Sequence, residues 1–141
     1  MIDYLVIVIV VAALSQVVSK RRYPACVFAA VTFSHWMWLS GLEGFYYCLS
    51  AGVCDVLVIY LICSYSQTSR LADTLIFISL MSIVLNLYGW LLWYYYLPVE
   101  SYNTSIAALY LIAIISLLWK ERAHDNNRDV KWYSRIPLSF G

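Results

Sequence analysis

DTLIFISLMSIVLNLYGWLLWYYYL, residues 73–97, runs 25 residues with a single charge, Asp73, at its first position. A helix rises about 1.5 Å per residue and the hydrocarbon core of a bilayer is about 30 Å thick, so about 20 apolar residues suffice to cross it. Strands of a membrane barrel alternate apolar and polar positions over about ten residues, and nothing here alternates. A soluble core helix is excluded by the rest of the chain. Of its 141 residues 63% are hydrophobic and 12% charged, where soluble domains average about 45–50% and about 25%. With so little polar surface to cover the apolar side chains, the solvent for most of this chain is lipid.

Four further apolar runs flank this one. They are IDYLVIVIVVAALSQVVS (2–19), ACVFAAVTFSHWMWLSGL (25–42), FYYCLSAGVCDVLVIYLICSY (45–65) and YNTSIAALYLIAIISLLW (102–119). The connectors KRRYP, Glu43-Gly44, SQTSRLA and PVES are short. The expected fold is an all-α integral membrane protein, a five-span transmembrane helix bundle over residues 1–119, followed by a basic and aromatic tail at 120–141. The charged Glu43 between Gly41 and Gly44 reads as a tight turn reaching water. A re-entrant hairpin over the second and third runs is the alternative, and it would leave three full crossings.

Loop cations set orientation, because Lys and Arg are retained on the cytoplasmic side. If Lys20, Arg21 and Arg22 lie inside, alternation puts Arg70 and the tail cations Lys120, Arg122, Arg128, Lys131 and Arg135 inside too. All nine basic residues then share one face, while Asp3, Glu43 and Glu100 fall on the other. The N-terminus is expected outside and the C-terminus in the cytoplasm, with a bacterial inner membrane as the location. The first run has its cations after the apolar stretch rather than before it, opposite to a secretory signal, and is expected to remain as a span.

In lipid, helices associate through small residues, close packing and interhelical hydrogen bonds. Each run carries such a stripe, clearest in Ser79, Ser82, Asn86 and Gly89, with Gly52 among the candidate contacts of the third run. Asn86 reads as an interhelical bonding residue. Two residues ask for more. Asp55 lies mid-run, where a carboxylate costs at least about 2.5–3.5 kcal/mol, and His35 lies about ten residues into its own run. Counted from opposite membrane faces, both fall about 15 Å deep. They are therefore expected to pair near the midplane, either as a clamp between spans or as a site for a proton or polar solute, since histidine titrates near neutral pH.

Aromatic residues make up 17% of the chain and crowd its outer half, from Phe45-Tyr46-Tyr47 to Tyr94-Tyr95-Tyr96. Beyond an interfacial belt, they suggest a rim for a partner helix. In the tail, Trp132, Tyr133 and Phe140 among cations fit anionic headgroups or a cytoplasmic partner. A net charge of +1 without a basic stripe gives no reason to expect nucleic acid. Cys26, Cys48, Cys54 and Cys63 lack metal or redox spacing, and no phosphate loop, HExxH or GxSxG occurs. No enzyme activity, cofactor or metal is expected. The leading functional expectation is a bundle subunit that assembles with itself or another membrane protein. A permeabilising protein or channel is the alternative: an outward N-terminus, an odd number of spans and a basic tail resemble three-span holins, from which five spans depart. A small proton-linked transporter using Asp55 and His35 is the third reading.

Overall fold

The computed structural model describes residues 2–15, 22–39, 41–65 and 69–119. Lys20, Arg21 and the tail with Lys120 and Arg122 lie outside the described residues, as do Gln16 to Ser19 of the first run. The described residues form five α-helices and no strand: α1 (Ile2–Leu14), α2 (Arg22–Leu39), α3 (Gly44–Tyr65), α4 (Arg70–Tyr94) and α5 (Glu100–Leu118). Three of them, α3, α4 and α5, are long and apolar enough to cross a membrane. Over its described residues α1 is apolar but shorter, and the 18 residues of α2 include Arg22, Thr32, Ser34 and His35.

Two helix starts differ from the sequence reading for local reasons. The KRRYP connector gives its last three residues to α2, which begins at Arg22. Proline is tolerated in a first turn because an N–H there would have no intrahelical acceptor, so Pro24 does not delay the helix. Likewise α4 begins at Arg70 rather than Asp73. Ser69, in extended backbone, accepts a hydrogen bond from the Ala72 amide at 3.1 Å, an N-cap that stabilises a helix by about 1 kcal/mol. Asp73 then sits in the first turn, where its charge opposes the positive end of the helix dipole.

The helices close into a ring. Each packs on its neighbours in the chain, α5 returns to α1, and α2 also touches α4 across the middle. The α2–α3 hairpin is antiparallel, as hydrogen bonds between residues nearly equidistant from its turn establish, and α4 and α5 are joined by a side-chain bond near theirs. Tyr23 donates to the Leu61 carbonyl at 3.3 Å and His35 meets Ser50 at 3.1 Å across the α2–α3 hairpin. Tyr88 meets Ser101 at 3.0 Å across α4–α5. The ring therefore has one end where Arg22 and Arg70 open their helices, and another that carries Glu43 and Glu100.

The two ends pack differently. Towards the arginine end the interior is apolar and tight: Ile9, Ala12 and Ala13 of α1, Ala25, Phe28 and Ala29 of α2, Ile62 of α3, Leu75 and Ile78 of α4, and Ala113 and Leu117 of α5 are buried together. The alanines on α1 and α2 let those backbones approach, which is how apolar helices gain contact in lipid. Ser79, 0% exposed, closes this layer with a hydroxyl that has no hydrogen-bond partner among the described residues. Towards the glutamate end the apolar cluster shrinks to Leu92, Tyr102 and Ile106. The space between the two layers is polar.

Candidate functional site

The inward stripe of α4 supplies the middle of the site. Ser79, Ser82, Asn86 and Gly89 recur at three-four spacing, and all four are buried. Asn86 is the hub of a network across three helices. Its Nδ2 donates to Asp55 Oδ2 of α3 at 3.4 Å and to Ser82 Oγ at 3.3 Å. Its Oδ1 accepts from the Tyr102 hydroxyl of α5 at 2.9 Å. A side-chain amide offers two donors and a carbonyl, and here both kinds are engaged. Asp55 thus has a hydrogen-bond donor inside the bundle, as a buried carboxyl group requires.

Tyr102 reaches Asn86 because Gly89 lets it. A Cβ placed on Gly89 would lie 2.7 Å from two carbons of the Tyr102 ring, closer than packed carbon atoms approach. The ring crosses the bare backbone of α4 at Gly89 and delivers its hydroxyl one turn further along, at Asn86. In the sequence Tyr102 stands out only as the first residue of the fifth apolar run. Counting inward from the facing ends of α4 and α5 sets Tyr102 opposite Leu92, one turn short of Gly89, so the turn gives the helix that Tyr102 meets but not the residue.

His35 does not pair with Asp55. Its Nε2 lies 3.1 Å from Ser50 Oγ, and no hydrogen bond or ion pair joins it to the carboxylate among the described residues. Depths taken from opposite membrane faces do not fix register, because the two runs, 25–42 and 45–65, differ in length. Counted from the hairpin apex at residues 42 and 43, His35 falls beside Ser50, five residues or about 7.5 Å along α3 from Asp55. Ser50 has one hydroxyl proton and donates it to the Tyr47 carbonyl at 2.9 Å. The histidine contact is therefore Nε2–H donating to Ser50, which leaves Nδ1 of a neutral ring as an acceptor. The Tyr47 ring holds the imidazole edge-on, with centroids 5.3 Å apart.

His35 and Asp55 nevertheless share a cavity. About 30 Å³ of space lies between α2, α3, α4 and α5, bordered by both residues and by Ser82, Asn86 and Tyr102. Thr32, Tyr47 and Cys54 add further polar edges.

Gly52 is not an interior contact. The inward stripe of α3 runs through Tyr47, Ala51, Asp55 and Val58, and Gly52 lies one residue, about 100°, off that phase. A Cβ built on it would meet nothing within 4 Å. It opens instead onto an outward groove of about 370 Å³ between α3 and α4, lined by Cys48, Val53, Val56, Ile83 and Leu87 and bounded towards the glutamate end by Phe45 and Trp90. Of the other sequence-predicted residues, Arg70 is exposed at the start of α4, and Arg22 opens α2. Among the described residues no group of three or more His, Cys, Asp or Glu side chains could hold a metal ion. Compared with protein-family models, with curated proteins and with solved structures, the chain has no match.

Proposed function

We propose that this chain is a non-catalytic integral membrane protein that crosses the bilayer five times, with its N-terminus outside and its C-terminus in the cytoplasm, and works as a helix-bundle subunit. The support for embedding is the outer surface. Every helix turns large apolar side chains outward, Val11, Met37, Val53, Phe77 and Ile115 among them, each more than half exposed. In water such a surface would aggregate; in hydrocarbon it is at home. The nine-to-none distribution of cations supports the orientation.

The observation that carries the subunit reading is the uneven burial of the spans. Within the ring 39% of the α4 and α5 spans is buried, but only 11% of α3. The same helix carries the groove at Gly52, where a second helix could approach the backbone closely. The expected partner is a second copy or another membrane protein. In a background with Cys26, Cys54 and Cys63 replaced by Ala, mild oxidation in native membranes is expected to cross-link copies through Cys48. Gly52→Leu, which fills the groove, is expected to lower that yield several-fold without loss of helicity. Single-molecule photobleaching that finds one copy per particle across a wide range of protein-to-lipid ratios contradicts self-assembly.

The interior cluster favours a second reading, a site for a proton or small polar solute within each bundle. An ionisable residue inside a membrane is a functional candidate by default, and Asp55 and His35 border one cavity.

A further inference from the structure

We propose that the cavity between His35 and Asp55 holds water that joins the two side chains, so that they share one proton as a single unit. A buried water needs about 10–15 Å³ of space and two to four polar partners. The cavity offers about 30 Å³, room for about two waters. Asp55, Ser82, Asn86, Tyr102 and His35 all border it. The offset of about 7.5 Å along α3 is too long for a direct hydrogen bond but suits a bridge of one or two waters.

The chemistry follows from the hydrogen-bond directions. With Nε2–H committed to Ser50, the free acceptor of the neutral ring is Nδ1. A proton leaving the Asp55 carboxyl group for water, while that water or the next passes its own proton to Nδ1, converts a neutral acid and neutral base into a carboxylate and an imidazolium. No bond other than O–H and N–H changes, and the net charge of the cluster stays zero. Such an exchange avoids placing a net charge in the low-dielectric interior. The titratable groups facing the cavity are His35 from α2, Tyr47, Cys54 and Asp55 from α3, and Tyr102 and Tyr110 from α5. From α4 the polar groups are the amide of Asn86 and the hydroxyl of Ser82, and neither ionises near neutral pH. Among these groups Asp55 and His35 are the carboxylic acid and the imidazole that the water bridge joins.

This deepens the second reading above and rests on it, and the test separates the two. The full chain is reconstituted in phosphatidylcholine–phosphatidylglycerol vesicles and followed by infrared difference spectroscopy across pH, in water and in deuterium oxide. The wild type is expected to show a pH-dependent, deuterium-sensitive carboxylic C=O band that Asp55→Asn removes. His35→Gln is expected to move the midpoint of that band by about one pH unit or more, the threshold for strongly coupled titrations. Ala51→Leu, which projects into the cavity and displaces water while leaving both groups in place, is expected to uncouple them in the same way. The helical amide I band reports whether each variant is folded. If Asp55→Asn leaves the pH-difference spectrum unchanged, the interior site and the bridge both fall. If the Asp55 band titrates with an unmoved midpoint in both folded variants, the water bridge alone is overturned.

Discussion

Gly89→Ala is expected to destabilise the bundle by about 2–4 kcal/mol, the sum of forced repacking and a lost interhelical hydrogen bond. The added methyl group would sit 2.7 Å from the Tyr102 ring. The ring cannot yield slightly and keep its place, because its hydroxyl is bonded to Asn86 at 2.9 Å. Moving it leaves the Asn86 carbonyl unpaired and loosens the donor that Asp55 depends on. Unfolding in mixed lipid–dodecyl sulfate micelles, followed by circular dichroism, measures the loss. Two contacting residues should be non-additive. In a Tyr102→Ala background the same Gly89→Ala change is expected to cost less than about 1 kcal/mol, since the ring it strikes is gone and alanine is the better helix former. An equal penalty in both backgrounds would mean that Gly89 serves some contact other than Tyr102.

Gly44→Ala should be comparably damaging for two separate reasons. Gly44 opens α3 with φ +56°, a left-handed conformation that costs a residue with a Cβ about 1–2 kcal/mol. A Cβ there would also strike the indole of Trp93 on α4, for a further cost of about 1–3 kcal/mol. Nearby, Phe45 and Trp90 stack edge to face with centroids 5.9 Å apart, so the start of α3 is pinned to the end of α4 by an aromatic layer. Gly41, three residues earlier, is the control. A Cβ on it meets nothing within 4 Å, and Gly41→Ala is expected to stay within about 0.5 kcal/mol. In the same unfolding assay, equal effects at both glycines would refute this description of the hairpin. Trp93→Ala should restore the packing share of the Gly44→Ala loss but not the backbone share.

The helices were legible in the sequence because bilayer thickness fixes the length of an apolar run, and no alternating pattern competes with it. Their starts were less so. Pro24 reads as a breaker until its place in a first turn is recognised, and the cap at Ser69 is one of several hydroxyls in SQTS that could have served. The inward stripe of α4 was legible from spacing alone, since Ser79, Ser82, Asn86 and Gly89 are its small and polar residues. What each of them does there was not. The bond from Tyr102 to Asn86 and the bare backbone at Gly89 that permits it join two helices, and one helix's pattern carries no record of the other. The displaced partner of His35 has a simpler origin. Register across a hairpin is set at its apex, and counting from residues 42 and 43 in both directions gives Ser50.

The same residues explain why the bundle is polar only at one level. Towards the arginine end, alanines, leucines, Phe28 and β-branched side chains fill the ring, and the apolar layer is continuous across all five helices. Nearer the glutamate end the ring is filled by the long side chains of Tyr47, Asn86 and Tyr102, whose polar tips must meet one another or water. Large apolar residues outside and a hydrogen-bonded cluster inside is the inverse of a soluble bundle at this level, and it is the arrangement that lipid favours.

The most direct test of the five-crossing, cation-inward arrangement is cysteine accessibility in intact cells, in a background with all four native cysteines replaced. An impermeant maleimide is expected to label Glu43→Cys from outside, and to label Arg21→Cys and Arg128→Cys only after the membrane is opened. Labelling of position 21 or 128 in intact cells, or protection of position 43 until the cells are opened, would contradict it.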